Sequence, residues 1–145
     1  MAAPVYTWEF VCDLFGDRVP KVTTLLAAAA LETKVGTMVS QVSGAVTATV
    51  DGTGGAMVGL AAEATAAALS LGDPIRVYLI APGMVIKGKA DADVSAQSGF
   101  NAKTHDVGSD GRLISGDTTG GGLSVWRTED AGLTVYCVST VQALY

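Results

Sequence analysis

The chain has 145 residues, of which 49% are hydrophobic and 16% charged, with a net charge of −5. A single domain of that length buries roughly 70% of the surface its unfolded chain would expose, so folding requires neither a disulfide framework nor a structural metal. The nine basic residues are scattered from Arg18 to Arg127, which excludes the clustered Lys and Arg of a nucleic-acid-binding face, and no apolar run approaches the ~18 residues of a membrane span.

The N-terminus, MAAPVYTWEF, carries Glu9 and lacks the basic start and apolar run of a signal peptide. The expectation is synthesis in the cytoplasm. Val5, Tyr6, Trp8 and Phe10 place four large apolar side chains within this first stretch. Residues 1–20 therefore read either as an N-terminal arm or as the first strand, and 21–145 as one β-rich domain. Residues 21–31 place Val22, Leu25, Leu26 and Ala29 on one helical face, with Pro20 suited to a helix start. This spacing predicts a short helix.

From Val35 onward Val, Thr and Gly dominate, which favours strands. Strands are predicted over 37–42, 45–50, 56–61, 75–80, 84–90, 112–115, 123–126 and 133–140. Between them stand Ser43-Gly44, Asp51-Gly52-Thr53-Gly54-Gly55, Gly72-Asp73-Pro74, Pro82-Gly83, Ser109-Asp110-Gly111 and Gly120-Gly121-Gly122, each a turn signal. Many short strands with frequent turns predict a mostly β fold, a small barrel or sandwich. The alanine-rich stretch 61–69 favours helix by propensity, but its neighbours argue for a strand running out into a turn or a single helical turn. The two halves also echo each other. Gly36-Thr37-Met38-Val39-Ser40 matches Gly111-Arg112-Leu113-Ile114-Ser115, the Asp51–Gly55 loop matches Asp117-Thr118-Thr119-Gly120-Gly121, and Val77-Tyr78 matches Val135-Tyr136.

No constellation of catalytic residues emerges. His105 is the sole histidine and Asp106 follows it directly. Neighbours in an extended chain point apart, so Asp106 is badly placed to orient His105 as a base, and the polar stretch 101–111 predicts a solvated histidine. Cys12 and Cys137 stand near opposite ends of the chain without a C-x-x-C unit, which excludes zinc. A disulfide between them would require the terminal strands to pair. Asp91 and Asp93 would share one face of a strand, but no cation loop with a closing Glu follows them. The glycine loops lack the G-K-[ST] of a phosphate cradle and read as hairpin turns. Lys87-Gly88-Lys89-Ala90-Asp91 is similar to the lysine hairpin of lipoyl and biotinyl carrier domains, without the symmetric partner hairpin. The expectation is a protein that is not an enzyme and holds no cofactor or metal.

Three stretches together resemble the capsid decoration (cement, head-stabilising) proteins of tailed bacteriophages. They are Lys34-Val35-Gly36-Thr37-Met38-Val39, then Met57-Val58-Gly59-Leu60-Ala61-Ala62-Glu63 followed by Gly72-Asp73-Pro74-Ile75-Arg76-Val77-Tyr78-Leu79-Ile80, and the Ala81-Pro82-Gly83-Met84-Val85 turn. The resemblance spans roughly 35–138 and rests on a pattern of strands and glycines. It implies a β-barrel or β-tulip core, a homotrimer, and an extended N-terminal arm over residues 2–10 lying on the shell. The implied partner is the major capsid protein and the implied location the capsid exterior of the virion. Val5, Tyr6, Trp8 and Phe10 would then contact the capsid or a neighbouring subunit. The charged fraction, well below the roughly 25% of ordinary domains, fits a surface partly covered by another protein. The alternative is a β-rich oligomeric binding or adhesion module, such as a fibre or receptor-binding head, and after it a carrier domain.

Overall fold

The computed structural model describes residues 2–140, and there the chain is mostly β. Nine strands occur in chain order: β1 (Glu9–Asp13), β2 (Lys21–Leu26), β3 (Met38–Val42), β4 (Ala45–Ala48), β5 (Met57–Ala61), β6 (Pro74–Leu79), β7 (Met84–Lys89), β8 (Leu123–Glu129) and β9 (Thr134–Ser139). Helical structure among the described residues is confined to three single 3₁₀ turns. No helix there is long and apolar enough to cross a membrane. All strand pairing is antiparallel. One sheet has the order β1-β7-β9-β8, the other β2-β6-β5-β3-β4.

Local chemistry explains the connections. Ser43 and Gly44 both adopt positive φ, the two-residue turn whose twist matches a β-hairpin, and Val42 pairs with Ala45 across it. Residues 80–83 carry the chain from one sheet to the other, with Pro82 and a positive-φ Gly83 at the corner. Strand β5 is buried along its whole length. Its register against β3 shifts between Val39 and Ser40. A bulge of this kind swaps the side to which successive side chains point. Met57 and Leu60 accordingly join one core, and Val58 and Ala61 the other.

The first core lies between the two sheets. It gathers Trp8, Met57, Leu60, Met84, Ile86, Leu113, Leu123, Val125, Val135 and Cys137. The second lies on the opposite face of the five-stranded sheet and contains Ala27, Val39, Val46, Val58, Ile75 and Val77. That sheet curls around this core until its outer strands approach. Ala27, just past β2, bridges Val46 of β4, and Ala28 N–H donates to the Val46 carbonyl at 2.8 Å. Curling stops at that bridge, short of a closed barrel.

Three sequence expectations require correction. Residues 21–26 form strand β2, not the start of a helix. Val22, Thr23 and Thr24 are consecutive β-branched residues, stiff at χ1 and suited to a pleated surface, and β2 runs in unbroken register from Lys21↔Leu79 to Leu26↔Pro74. Residues 112–115 supply only single bridges, from Leu113 to Ala90 and to Val107. The Asp51–Gly55 loop is not a hairpin turn, because β4 and β5 flank β3 and the loop crosses over the end of that strand. The alanine-rich stretch after β5 runs out into a loop as expected, touching the rest of the chain through a bridge from Leu69 to Leu31. The echo between halves survives in part. Both β5–β6 and β8–β9 are sequential antiparallel neighbours.

Candidate functional site

The apolar N-terminal residues do not stay together. Trp8 is only 3% exposed and belongs to the inter-sheet core. Its indole N–H donates to the Gly111 carbonyl at 2.8 Å, and its backbone N–H donates to the Gly36 carbonyl at 2.8 Å. A Cβ at Gly88 would collide with the indole ring, one at Gly36 with the Trp8 carbonyl, and one at Gly111 with the Tyr6 carbonyl. Three glycines thus form the seat of residues 6–8. The expectation of Trp8 as an outward anchor is overturned, because its ring fills a slot that only glycines leave open. Residues 9–13 likewise pair with β7 as strand β1, so the stretch 2–10 is not one extended arm. Val5 and Tyr6 remain exposed, Tyr6 beneath the Arg112 guanidinium at 5.1 Å. Phe10 is half-buried against the core.

Phe10 and Trp8 instead line a groove of about 360 Å³ together with Val19, Pro20, Val35, Leu60 and Tyr78. The groove opens where the four-stranded sheet stops short of covering β6 and β2. Strand β6 alternates exposed Pro74, Arg76 and Tyr78 with buried Ile75, Val77 and Leu79. Cross-strand partners share a face, which sets Val22 beside Tyr78 and Leu26 beside Pro74. Val22 is 52% exposed and Leu26 57%. The outer face of β2–β6 therefore presents two apolar pairs, Val22 with Tyr78 at the groove and Leu26 with Pro74 at the far end, on either side of the exposed Thr24 and Arg76. Beyond the groove the turn after β1 carries Leu14 and Phe15, the latter 78% exposed. That turn is held by Asp13, which accepts the backbone N–H groups of Phe15 and Arg18 and both guanidinium contacts of Arg18 at 2.7 and 2.9 Å. Arg18 also donates to the Pro82 carbonyl at 2.9 Å.

The polar candidates read from the sequence are rearranged. His105 is fully buried, not solvated. Its backbone pairs with Leu123 on both sides, and its Nδ1 meets the Ile114 carbonyl at 2.9 Å. The polar composition of 101–111 hid a short extended segment in which His105 and Val107 are both buried. Asp106 points away from the histidine, as chain geometry requires, and its Oδ2 accepts the Gly52 N–H at 3.1 Å. Asp91 and Asp93 do not share a site. Asp91 accepts the Ser115 N–H and Asp93 the Ser95 N–H. Lys87 and Lys89 lie within β7, flanked by β1 and β9, with Lys89 donating to Thr134 Oγ1 at 2.7 Å. That is not the exposed hairpin tip of a carrier lysine. Cys12 and Cys137 are both free thiols. They sit on β1 and β9, separated by β7, too far apart for a disulfide.

Among the described residues one group of three acidic side chains converges: Asp51, Asp106 and Asp117, each offering an oxygen within 4.8 Å of the others. Sequence reasoning paired the loops of Asp51 and Asp117 as echoes but saw no site in them. No family model matches the chain, and no curated protein matches it in sequence.

Proposed function

We propose that the protein is a virion structural protein that binds the outside of a phage capsid and stabilises it without catalysis, working as a homo-oligomer, a trimer by resemblance. The observation that carries this reading is the exposed apolar surface at the groove and on the adjoining face of β2–β6, where Val22, Leu26 and Tyr78 stand out of the strands, with Phe15 exposed on the turn after β1. An exposed apolar surface beside edge strand β2 suits burial against another protein, since unpaired strand edges and large apolar patches both favour association. A stable interface removes about 800 Å² per partner, for which such a surface with its aromatic rim supplies anchors. In this reading the contact residues are Val5, Tyr6 and Phe10 from the original set, joined by Phe15, Val22, Leu26 and Tyr78. Trp8 acts from within by holding the segment in place.

The test is sedimentation of the purified protein, alone and mixed with expanded phage heads, in parallel with the double variant Val22→Lys/Tyr78→Lys. The reading requires a wild-type oligomer that pellets with heads and a folded variant that loses assembly, head binding or both. Binding to cells or glycans without binding to heads would favour an adhesion module, the alternative that the same apolar surface also fits.

A further inference from the structure

We propose that Asp51, Asp106 and Asp117 form a binding site for a hard divalent cation, calcium, that ties the β4–β5 crossover to the loop preceding β8. The three residues come from separate stretches: Asp51 from the crossover, Asp106 from the buried segment beside Leu123, and Asp117 from the loop leading into β8. One carboxylate oxygen from each lies within 4.8 Å of the other two.

An acidic cluster alone is common on protein surfaces. What separates this one is Asp106. It is 5% exposed, its Oδ2 accepts the Gly52 N–H, and its Oδ1 is buried with no hydrogen-bond partner. A buried carboxylate oxygen without a donor is rare in native proteins, because desolvation is left uncompensated. Two further carboxylates beside it make ionisation harder still. A cation supplies what the site lacks, a positive partner for the orphan oxygen and relief of repulsion among three negative groups.

The surroundings hold the ligands in place before any ion arrives. Thr53 Oγ1 accepts from the Val50 N–H at 2.8 Å and donates to the Val50 carbonyl at 2.7 Å, closing the Asp51-Gly52 turn. The Thr104 N–H donates to the Thr118 carbonyl at 3.2 Å, and the Ile114 N–H to the Asp106 carbonyl at 2.9 Å. Gly121 lies so close to the backbone of His105 and Asp106 that no Cβ fits. The matching glycine loops are thereby brought against each other, and a Cβ on Gly55 would lie 3.5 Å from the Gly120 carbonyl.

The donor set decides the ion. It is all oxygen and contains no His or Cys, which suits hard cations over zinc or copper. Calcium accepts 6–8 oxygens in irregular geometry, so carbonyls and water can complete the shell. Magnesium demands a near-ideal octahedron, which ligands from three unrelated loops meet less well.

The experiment uses the full chain, stripped with EDTA and shown to be metal-free by elemental analysis. CaCl₂ is titrated by calorimetry and followed by thermal melting, with KCl at matched ionic strength and MgCl₂ as controls. The site requires saturable one-to-one binding with a dissociation constant of about 10⁻⁴–10⁻³ M, a melting temperature that rises with calcium, and magnesium binding at least ~10-fold weaker. Asp51→Asn and Asp117→Asn alter exposed or half-buried side chains and retain the fold. Each should weaken calcium at least ~10-fold, the loss of one charge-bearing ligand. The proposal is overturned if about 10 mM calcium, well above the expected dissociation constant, produces neither saturable heat nor a change in melting. In that event the cluster is held by a proton shared between carboxyls, and Asp117→Asn should stabilise the protein equally with and without calcium.

Discussion

The indole N–H of Trp8 donates to the carbonyl oxygen of Gly111, 103 residues further along the chain, at 2.8 Å. The contact is buried, and it converts an aromatic N-terminal segment from a free arm into part of the wall between the two sheets. Removing the donor leaves the Gly111 carbonyl unsatisfied, and removing the ring empties a slot in the core.

Trp8→Phe should therefore destabilise by about 1–3 kcal/mol, the cost of a buried unpaired carbonyl. Trp8→Ala should destabilise by about 3–5 kcal/mol, the range of large-to-small aromatic substitutions in cores. Deleting residues 2–10 removes Trp8 and the first residues of β1 together, and should abolish cooperative unfolding. Urea denaturation followed by the fluorescence of Trp126 checks all three changes without relying on the altered residue. A deletion variant that melts like the wild type would restore the arm reading.

Gly88→Ala tests the same slot from the opposite side. A methyl group there would meet the Trp8 ring, and Gly88 is held in β7 by its pairing with Val135 of β9, which limits how far the backbone can retreat. Overpacking of this kind costs roughly 1–3 kcal/mol. Combined with Trp8→Ala the two effects should be strongly sub-additive, since the small residue at position 8 removes the obstacle. A double-mutant cycle on denaturation midpoints reads this directly, and additive losses would mean that the ring and Gly88 do not compete for one space.

The limits of sequence reading show in the same residues. Strand β6 was legible because Ile75, Val77 and Leu79 alternate with Pro74, Arg76 and Tyr78, and the β3–β4 hairpin because Ser43-Gly44 suits a two-residue turn. Strand β2 was misread because Val22, Leu25 and Leu26 satisfy a helical face as well as a strand, and its pairing with β6, some 50 residues away, decides between them. The seat of Trp8 was invisible for a related reason. Gly36, Gly88 and Gly111 each look like ordinary turn or strand glycines until the fold brings them to one place. Of the carboxylate cluster, the matched loops of Asp51 and Asp117 carried a signal, but the burial of Asp106 depends on Gly121 lying against its backbone, which no local pattern reports.

The two cysteines should differ sharply toward alkylating reagents. Cys137 is fully buried, and desolvation holds its thiol well above the ordinary range, whereas Cys12 is half-buried on edge strand β1. The thiolate is the reactive form. Native protein treated with iodoacetamide should take up one label, at Cys12, and a second only under denaturing conditions. Peptide mass mapping distinguishes the sites. Early labelling of Cys137 would mean that β9 opens far more readily than its burial implies.

Acid should loosen the turn that presents Phe15. The Arg18 guanidinium, followed by the N–H groups of Phe15 and Arg18, holds the Asp13 carboxyl well below its ordinary value of 3.8. The folded protein therefore binds this proton less tightly than the unfolded chain does. Stability from Asp13 is fully present above pH 3.8 and is lost as the pH falls below that value toward the depressed one. Asp13→Asn lacks that proton-linked contribution. At neutral pH it should be less stable than the wild type, and the gap should stay constant down to about pH 4 and narrow below it. Because the Arg18 side chain is 39% exposed, added salt should reduce the gap at neutral pH without removing it, as the two N–H bonds to the carboxylate persist. Urea midpoints of both proteins measured across pH 2.5–7 would check this, together with light scattering of head mixtures over the same range. If Phe15 contributes to attachment, head binding should weaken in Asp13→Asn at neutral pH while the fold remains intact. A gap that widens as the pH falls would have the wrong sign for a depressed carboxyl, and would show that Asp13 is protonated in the folded chain.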